Sequence, residues 1–303
     1  MFFFPYRVDL NILRFPLVTL LTMLICAFVY WAQVHDDSRQ AAIRASICAS
    51  IQNSGRMAMA EFHSADGSCE GALETLLEAP NPQQLIDDTA ARAERNSTSV
   101  RGWGDIVNRV ATDALSTMRE RVTKPPLTER LLYRPESWNP WHAVTAAFAH
   151  ANLTHLLGNL FFFYVFAATV EAILGSLRFA LSLAIIAIGS HFCYSLVNLG
   201  IPAPPTVGLS GVVMGMMGFF AWAMPTARMR VAYWFLIRFG VVNVPAWLLA
   251  IWYVGLDAYR LYNHAGGNVN LVAHVSGAAI GVALAMTFFR RPVAEAREFE
   301  LAP

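Results

Sequence analysis

Six apolar segments restrict the fold of this chain more than any other feature. They cover residues 15–32, 144–174, 177–199, 210–224, 231–255 and 270–289. A helix rises 1.5 Å per residue, so about 20 apolar residues cross the hydrocarbon core of a bilayer. The chain is 56% hydrophobic and only 14% charged, which excludes a disordered chain and is unusual for a soluble domain. The sequence therefore predicts an all-α polytopic membrane protein with six transmembrane helices.

Most of the charge lies between the first two apolar segments. Residues 35–130 carry 14 acidic and 11 basic side chains, which is 25 of the 43 charged residues of the chain. We expect a soluble, mostly helical insert there, with one stripe of apolar residues that packs in a core or on a membrane surface. The stripe consists of Ile106, Val107, Val110, Ala114, Leu115, Met118 and Val122. A net charge of only +1 argues against a surface that binds nucleic acid.

Arginines in the short loops orient the predicted bundle. Cytoplasmic loops are enriched in arginine, so both termini are predicted to be cytoplasmic and the insert extracytoplasmic. The opposite short loops, 200–209 and 257–268, contribute only Arg260. The arginines on the predicted cytoplasmic side are Arg7, Arg14, Arg178, Arg228, Arg230, Arg290, Arg291 and Arg297. Compact loops and the lack of a recognisable transit peptide favour a bacterial inner membrane, and a cleaved signal peptide stays an alternative to a retained first helix.

The four cysteines fall into two groups. Cys48 and Cys69 lie in the insert, where an extracytoplasmic position would allow a disulfide to persist. Cys26 and Cys193 lie in apolar segments, where we interpret them as packing residues. The sequence leaves open whether the first pair forms a disulfide.

Polar side chains inside the apolar segments are the candidates for chemistry, because they are costly in hydrocarbon. They occur in three motifs, over residues 150–159, 208–211 and 273–277. The fourth segment runs only from Ser210 to Met224, about 22 Å of helix against a core of about 30 Å. Prolines before it prevent a helix, so Ser210 is predicted to begin a helix below the membrane surface and to face water.

Stripes of small residues indicate which helices approach each other. Bare stripes on the fourth and sixth segments would let the two backbones pack closely and bring His274 to Ser210. The residues of the stripes are Gly211, Gly215 and Gly218 in one segment, and Gly277, Gly281 and Ala285 in the other.

This arrangement favours acyl-transfer chemistry. Serine needs a base within hydrogen-bond reach to act as a nucleophile, and His274 is the candidate. The backbone N–H of Ser210, with His155 and Asn159 on a neighbouring helix, could stabilise an oxyanion. No acid in the apolar segments is well placed as the third member of a catalytic triad, since Glu171 lies about three helical turns beyond Asn159. We therefore predict a Ser–His dyad.

A metal site or an organic cofactor is not expected. His150 and His155 are five residues apart, which turns their side chains about 140° from each other on a helix. No carboxylate or thiolate joins them as a further ligand.

The three motifs together resemble those of the rhomboid intramembrane serine proteases, over about residues 138–290. The resemblance rests on Gly208-Leu-Ser210-Gly211, on Ala273-His274 followed by Gly277 and Gly281, and on His150, His155 and Asn159 leading into Phe161-Phe162-Phe163. It implies a six-helix rhomboid fold, Ser210 as nucleophile, His274 as base and then acid, oxyanion contacts from His155 and Asn159, and a position lining the cavity for His150. We assign Gly208 of the serine motif to the substrate-binding group.

Two further implications and two departures accompany the resemblance. It implies that the loop 257–268 caps the site and that the fifth helix moves to admit substrate. Met214 stands where family members often carry an aromatic ring, and a thioether holds the histidine less firmly. Trp141-His142 stands where many members carry Trp-Arg.

The sequence thus predicts an intramembrane serine endopeptidase that cleaves transmembrane protein substrates, lies in membrane lipid, and opens its site to the extracytoplasmic side. The predicted domains are an N-terminus with helix 1 (1–34), the insert (35–130), a catalytic core with helices 2–6 (131–290) and a cytoplasmic tail (291–303). A catalytically silent rhomboid-like protein that binds membrane segments and recruits partners is the alternative. A transporter with a broken fourth helix is a third class, although no internal repeat is evident.

Overall fold

The computed structural model of the chain describes residues 2–8, 15–64, 66–97, 100–235, 238–265, 267 and 269–301. They are mostly helical and form two compact units, one from Met1–Ala32 with Thr128–Pro303 and one from Gln33–Leu127. Arg14 and Asn268, which the charge and loop predictions include, lie outside the described residues.

The smaller unit is a helical domain with its own core. It contains the end of α1 (Leu17–Ser50), α2 (Asn53–Ala60), α3 (Cys69–Glu78), α4 (Pro82–Asn96) and α5 (Trp103–Arg121). The predicted stripe packs in this core, where Val107, Leu115 and Met118 are fully or almost fully buried. Cys48 and Cys69 form a disulfide that joins α1 to the start of α3.

The larger unit holds the remaining helices. They are α6 (Leu127–Leu131), α7 (Pro140–Phe148), α8 (Leu153–Leu174), α9 (Ser176–Val197), α10 (Ser210–Ala223), α11 (Ala246–Tyr262), α12 (Leu271–Met286) and α13 (Arg290–Leu301). The second predicted segment, 144–174, is therefore interrupted between α7 and α8, where residues 149–152 are not helical. Among the described residues, α1, α8 and α9 are each long and apolar enough to cross a membrane, and α12 with α13, bent by 80°, would make a fourth span.

A three-stranded antiparallel sheet corrects the prediction of an all-α fold. It consists of β1 (Phe2–Val8), β2 (Arg228–Phe235) and β3 (Arg238–Pro245), in that order, and Tyr233 pairs with Gly240 across the hairpin. The prediction of a fifth helix over 231–255 is therefore wrong at its start, because helix begins only at Ala246. Valine and aromatic residues fit a pleated sheet as well as a membrane helix, so hydropathy alone does not separate the two.

Glu171 fastens the start of α1 to the end of α8. Its carboxylate accepts hydrogen bonds from the backbone N–H of Val18 at 2.9 Å and of Thr19 at 2.8 Å, from the Thr19 hydroxyl at 2.8 Å and from the Ser176 hydroxyl at 2.7 Å. These bonds satisfy backbone donors that a helix start leaves unpaired. The acid that the sequence places too far from the site is thus a buried helix cap, 2% exposed.

The stripes of small residues on α10 and α12 pack backbone against backbone, which confirms the predicted close approach. A Cβ added to Gly211 would lie 3.3 Å from the Ala273 carbonyl oxygen. A Cβ added to Gly277 or Gly281 would overlap the carbonyl oxygen of Gly211 or Gly215. Gly211 follows Ser210 and Ala273 precedes His274, so this contact fixes the separation of the two backbones at the site.

Candidate active site

A cavity of about 590 Å³ opens in the larger unit where α8, α10, α11 and α12 meet. It collects the residues of all three polar motifs, together with an acid from α11. Its lining includes Thr154, His155, Asn159, Thr206, Ser210, Met214, Met217, Tyr253, Asp257, Asn270 and His274.

Ser210 begins α10 and is half-buried at the cavity wall. The non-helical chain before it is held by backbone hydrogen bonds. Thr206 and Tyr133 exchange N–H···O bonds of 3.0 and 2.9 Å, and the N–H of Gly208 donates to the Ala146 carbonyl at 2.8 Å. These bonds fix the chain that leads to Ser210. Ser210 itself begins a helix, as the prolines and the short fourth segment predict.

Gly208 lies directly against two side chains of α8. Its φ of +122° is a conformation that L side chains rarely adopt. An added Cβ would lie 2.6 Å from His155 Cε1 and 3.5 Å from Asn159 Nδ2. The backbone of the serine motif and the polar face of α8 are therefore in contact.

Asn159 carries a buried donor that is available at this contact. The residue is only 7% exposed, and among the described residues its Nδ2 has no hydrogen-bond partner. Buried polar groups are nearly always paired, so an orphaned donor beside a cavity indicates a group that binds something there.

The two cavity histidines lie in the first turns of helices that begin with asparagine caps. Asn152 Oδ1 accepts from the N–H of His155 at 2.9 Å, and Asn270 Oδ1 accepts from the N–H of Ala273 at 3.0 Å. Asparagine favours the start of a helix because its side chain replaces a missing intrahelical acceptor. Each cap thus fixes where its helix, and hence its histidine, begins.

An acid on α11, which the sequence analysis did not identify, contacts His274. The His274 Nδ1 and Asp257 Oδ2 atoms are 2.7 Å apart, and both side chains are 14% exposed. Asp257 falls in the predicted loop 257–268, but α11 continues to Tyr262 and turns this acid toward the cavity. Its spacing from Tyr253, one helical turn earlier, could not reveal it from sequence, because Tyr253 was not predicted to line the cavity either.

The predicted site residues differ in whether they line the cavity. Ser210 and His274 line the same cavity, but no direct hydrogen bond joins them among the described residues. His150 is 2% exposed, is not among the described lining residues, and packs against the His155 ring at 5.2 Å between centroids. Met214 lines the cavity, 7% exposed.

Within the part of the chain that the structure describes, no three His, Cys, Asp or Glu side chains cluster so as to hold a metal ion. The arrangement provides a hydroxyl at a helix start, an imidazole paired with a carboxylate, and a buried amide donor. These are the groups that nucleophilic acyl transfer uses.

Comparison with known proteins decides the family. A family model for the Rhomboid domain matches residues 137–291, about half of the chain. The chain belongs to the rhomboid family. The matched range contains every residue named above in the cavity lining. With its apolar helices, this rhomboid protein is an integral membrane protein.

Three relatives illustrate the range of the family that this rhomboid protein resembles. It is 32% identical to Rhomboid-like protein 11, chloroplastic, of Arabidopsis thaliana, over 54% of this chain and 58% of that one. It is 30% identical to Rhomboid protease GlpG of Enterobacter sp. (strain 638), over 49% and 48%. It is 25% identical to Presenilin-associated rhomboid-like protein A, mitochondrial, of Danio rerio, over 56% and 44%. The chain spans about half the length of these relatives.

Proposed function

We propose that this rhomboid protein is an intramembrane serine endopeptidase that hydrolyses peptide bonds in or next to transmembrane segments of membrane proteins. The observation that carries the proposal is that Ser210, His274 and Asn159 line one cavity, and that Nδ2 of Asn159 has no hydrogen-bond partner among the described residues. Membership of the family and similarity to Rhomboid protease GlpG support it further.

The reaction begins with the Ser210 hydroxyl. His274 Nε2 takes the hydroxyl proton while Oγ attacks the peptide carbonyl carbon, and the carbonyl electrons move onto oxygen. Collapse of this tetrahedral intermediate breaks the C–N bond, and the proton on His274 passes to the leaving amine. Water then attacks the acyl-serine ester with the same base, which releases the carboxylic acid and regenerates Ser210.

The oxyanion is held by preorganised donors. The proposed donors are Asn159 Nδ2 and the backbone N–H of Ser210. The first is buried with no partner in the described part of the chain, and the second begins a helix. His155 lies beside Gly208 and completes this side of the site. Gly208 itself must stay without a side chain, since its φ of +122° disfavours one and an added Cβ would clash with the His155 ring.

The membrane arrangement belongs to the same proposal. We propose six spans, cytoplasmic termini and an extracytoplasmic insert, with the site open to the extracytoplasmic side of the membrane. The arginine distribution and the disulfide in the insert support it. Transmembrane protein substrates fit a cavity that lies among apolar helices.

Labelling with a fluorophosphonate probe tests the nucleophile. The purified protein in detergent should form a covalent adduct, and Ser210→Ala should form none. His274→Ala should abolish cleavage of a single-span substrate in proteoliposomes while the protein stays folded, which a cooperative thermal unfolding transition checks. Equal labelling of wild type and Ser210→Ala would contradict the nucleophile assignment, and an inert wild type would favour the catalytically silent alternative.

A further inference from the structure

We propose that Asp257 is a positioning residue that holds His274 in the tautomer able to act as a base on Ser210. This inference rests on the proposed protease function and extends the predicted Ser–His dyad by a third side chain. Asp257 touches neither substrate nor serine in this role, and acts only through the imidazole.

The geometry is that of an oriented imidazole. Asp257 Oδ2 lies 2.7 Å from His274 Nδ1, which is within the range of a charge-assisted hydrogen bond. Both side chains are mostly withdrawn from solvent, each 14% exposed, and both face the cavity that contains Ser210. The pair therefore lies at the site and not on the protein surface.

The chemistry of the two groups fixes the proton. An ionised carboxylate can only accept a hydrogen bond, so Nδ1 of His274 must carry the hydrogen. The lone pair is then on Nε2, which is the atom that can take the proton of Ser210. In the opposite tautomer Nε2 carries hydrogen and the ring cannot act as a base from that atom.

An ion pair that merely stabilises α11 is the competing interpretation. Arg260 Nη1 lies 3.8 Å from Asp257 Oδ1, one helical turn away. The two carboxylate oxygens thus have different partners, Oδ1 toward Arg260 and Oδ2 toward His274. Because the partners are separate, the two roles can be tested separately, with Arg260→Gln as the matched control.

Steady-state kinetics in proteoliposomes separate the two roles. Asp257→Asn should lower kcat by at least about tenfold, while KM changes less than about twofold. The largest loss expected is about 10⁴ in kcat, the effect of replacing a triad aspartate by asparagine. Asp257→Glu should restore part of kcat, and Arg260→Gln should leave it within about twofold. Wild-type kcat in Asp257→Asn, with labelling of Ser210 intact, would overturn this inference and leave the protease function standing.

A spectroscopic readout keeps the inference testable if the variants fold poorly. Nitrogen-15 NMR of histidine-labelled protein, with the His274 signal assigned by its loss in His274→Gln, should show hydrogen on Nδ1 at neutral pH. Hydrogen on Nε2 in the wild type would overturn the inference whatever the variants do. Absence of Ser210-dependent labelling in the wild type would overturn both this inference and the proposed function.

Discussion

Asn159 is the residue whose environment is hardest to explain without a ligand. A buried amide donor without a partner costs free energy, commonly about 1–3 kcal/mol. Packing does not explain an amide at this position, since leucine would fill this face of α8 at least as well. We infer that a carbonyl or oxyanion supplies the missing acceptor during turnover.

Replacement of Asn159 by alanine should therefore lower kcat by about 10²-fold, the typical effect of losing one oxyanion donor. KM should change little, because the bond forms with the transition state more than with the substrate. Cleavage of a transmembrane substrate in proteoliposomes measures both constants. Asn198→Ala is the matched control, since Asn198 Nδ2 donates to the Tyr194 carbonyl and does not line the cavity. Equal kcat in Asn159→Ala and wild type would contradict the assignment.

Residue patterns predicted four of the residues that line the cavity, which are His155, Asn159, Ser210 and His274, but they did not predict the acid Asp257. Ser210 and His274 lie in motifs in which a polar side chain interrupts an apolar run. Because a polar side chain is costly in hydrocarbon, the sequence identifies both as candidate site residues. Asp257 lies just after the apolar run 231–255, and hydropathy alone predicts that a charged residue there begins a loop. Asp257 faces the cavity because α11 continues past the apolar run to Tyr262, and no local pattern predicted that helix end.

At the scale of elements, α10 and α12 position the nucleophile and the base through their main chains. The contact of Gly277 with the Gly211 carbonyl leaves no room for a side chain, and neither atom belongs to a flexible group. Side-chain packing can adjust to small changes, whereas two backbones in contact must separate.

Gly277→Ala should consequently destabilise the protein by about 1–3 kcal/mol, the usual cost of overpacking, and lower labelling of Ser210. Gly255→Ala in α11 is the control, since its added Cβ meets only Ile251 Cγ2 at 4.0 Å. That variant should be neutral or slightly stabilising, because alanine is the better helix former. Thermal unfolding in detergent compares the two, and equal melting temperatures would contradict the backbone contact.

The sheet and α11 show where hydropathy stops being informative. Residues 231–255 were predicted as one apolar helix, yet Pro245 separates the strands β2 and β3 from α11. Proline cannot donate to a sheet ladder but suits the entrance of a helix, so it marks the change. The partner strand β1 comes from the other end of the sequence, and local patterns carry no information about such a pairing.

At the scale of the whole molecule, the smaller unit has its own apolar core, to which α1, α2, α3, α4 and α5 all contribute. The disulfide closes a segment with a sequence separation of 21 residues. A loop of that size restricts the unfolded chain enough to contribute about 3 kcal/mol.

Replacement of both Cys48 and Cys69 by serine should lower the free energy of unfolding of this unit by about 3 kcal/mol. Hydrogen exchange of peptides from α3 should then be faster in the full-length protein. Cys193→Ser is the control, since Cys193 is a free cysteine outside this unit. Unchanged exchange in the double variant would show that the disulfide does not stabilise the unit.

The hydrogen bonds of Glu171 bear on how the protein matures. Three of the four described bonds come from the first turn of α1, two from backbone N–H groups and one from the Thr19 hydroxyl. A processed form that had lost this helix would lose those three bonds, and of the described donors only the Ser176 hydroxyl would stay with the carboxylate. Removal of α1 by a signal peptidase would therefore leave a weakened bundle, so we expect the mature protein to retain its first helix.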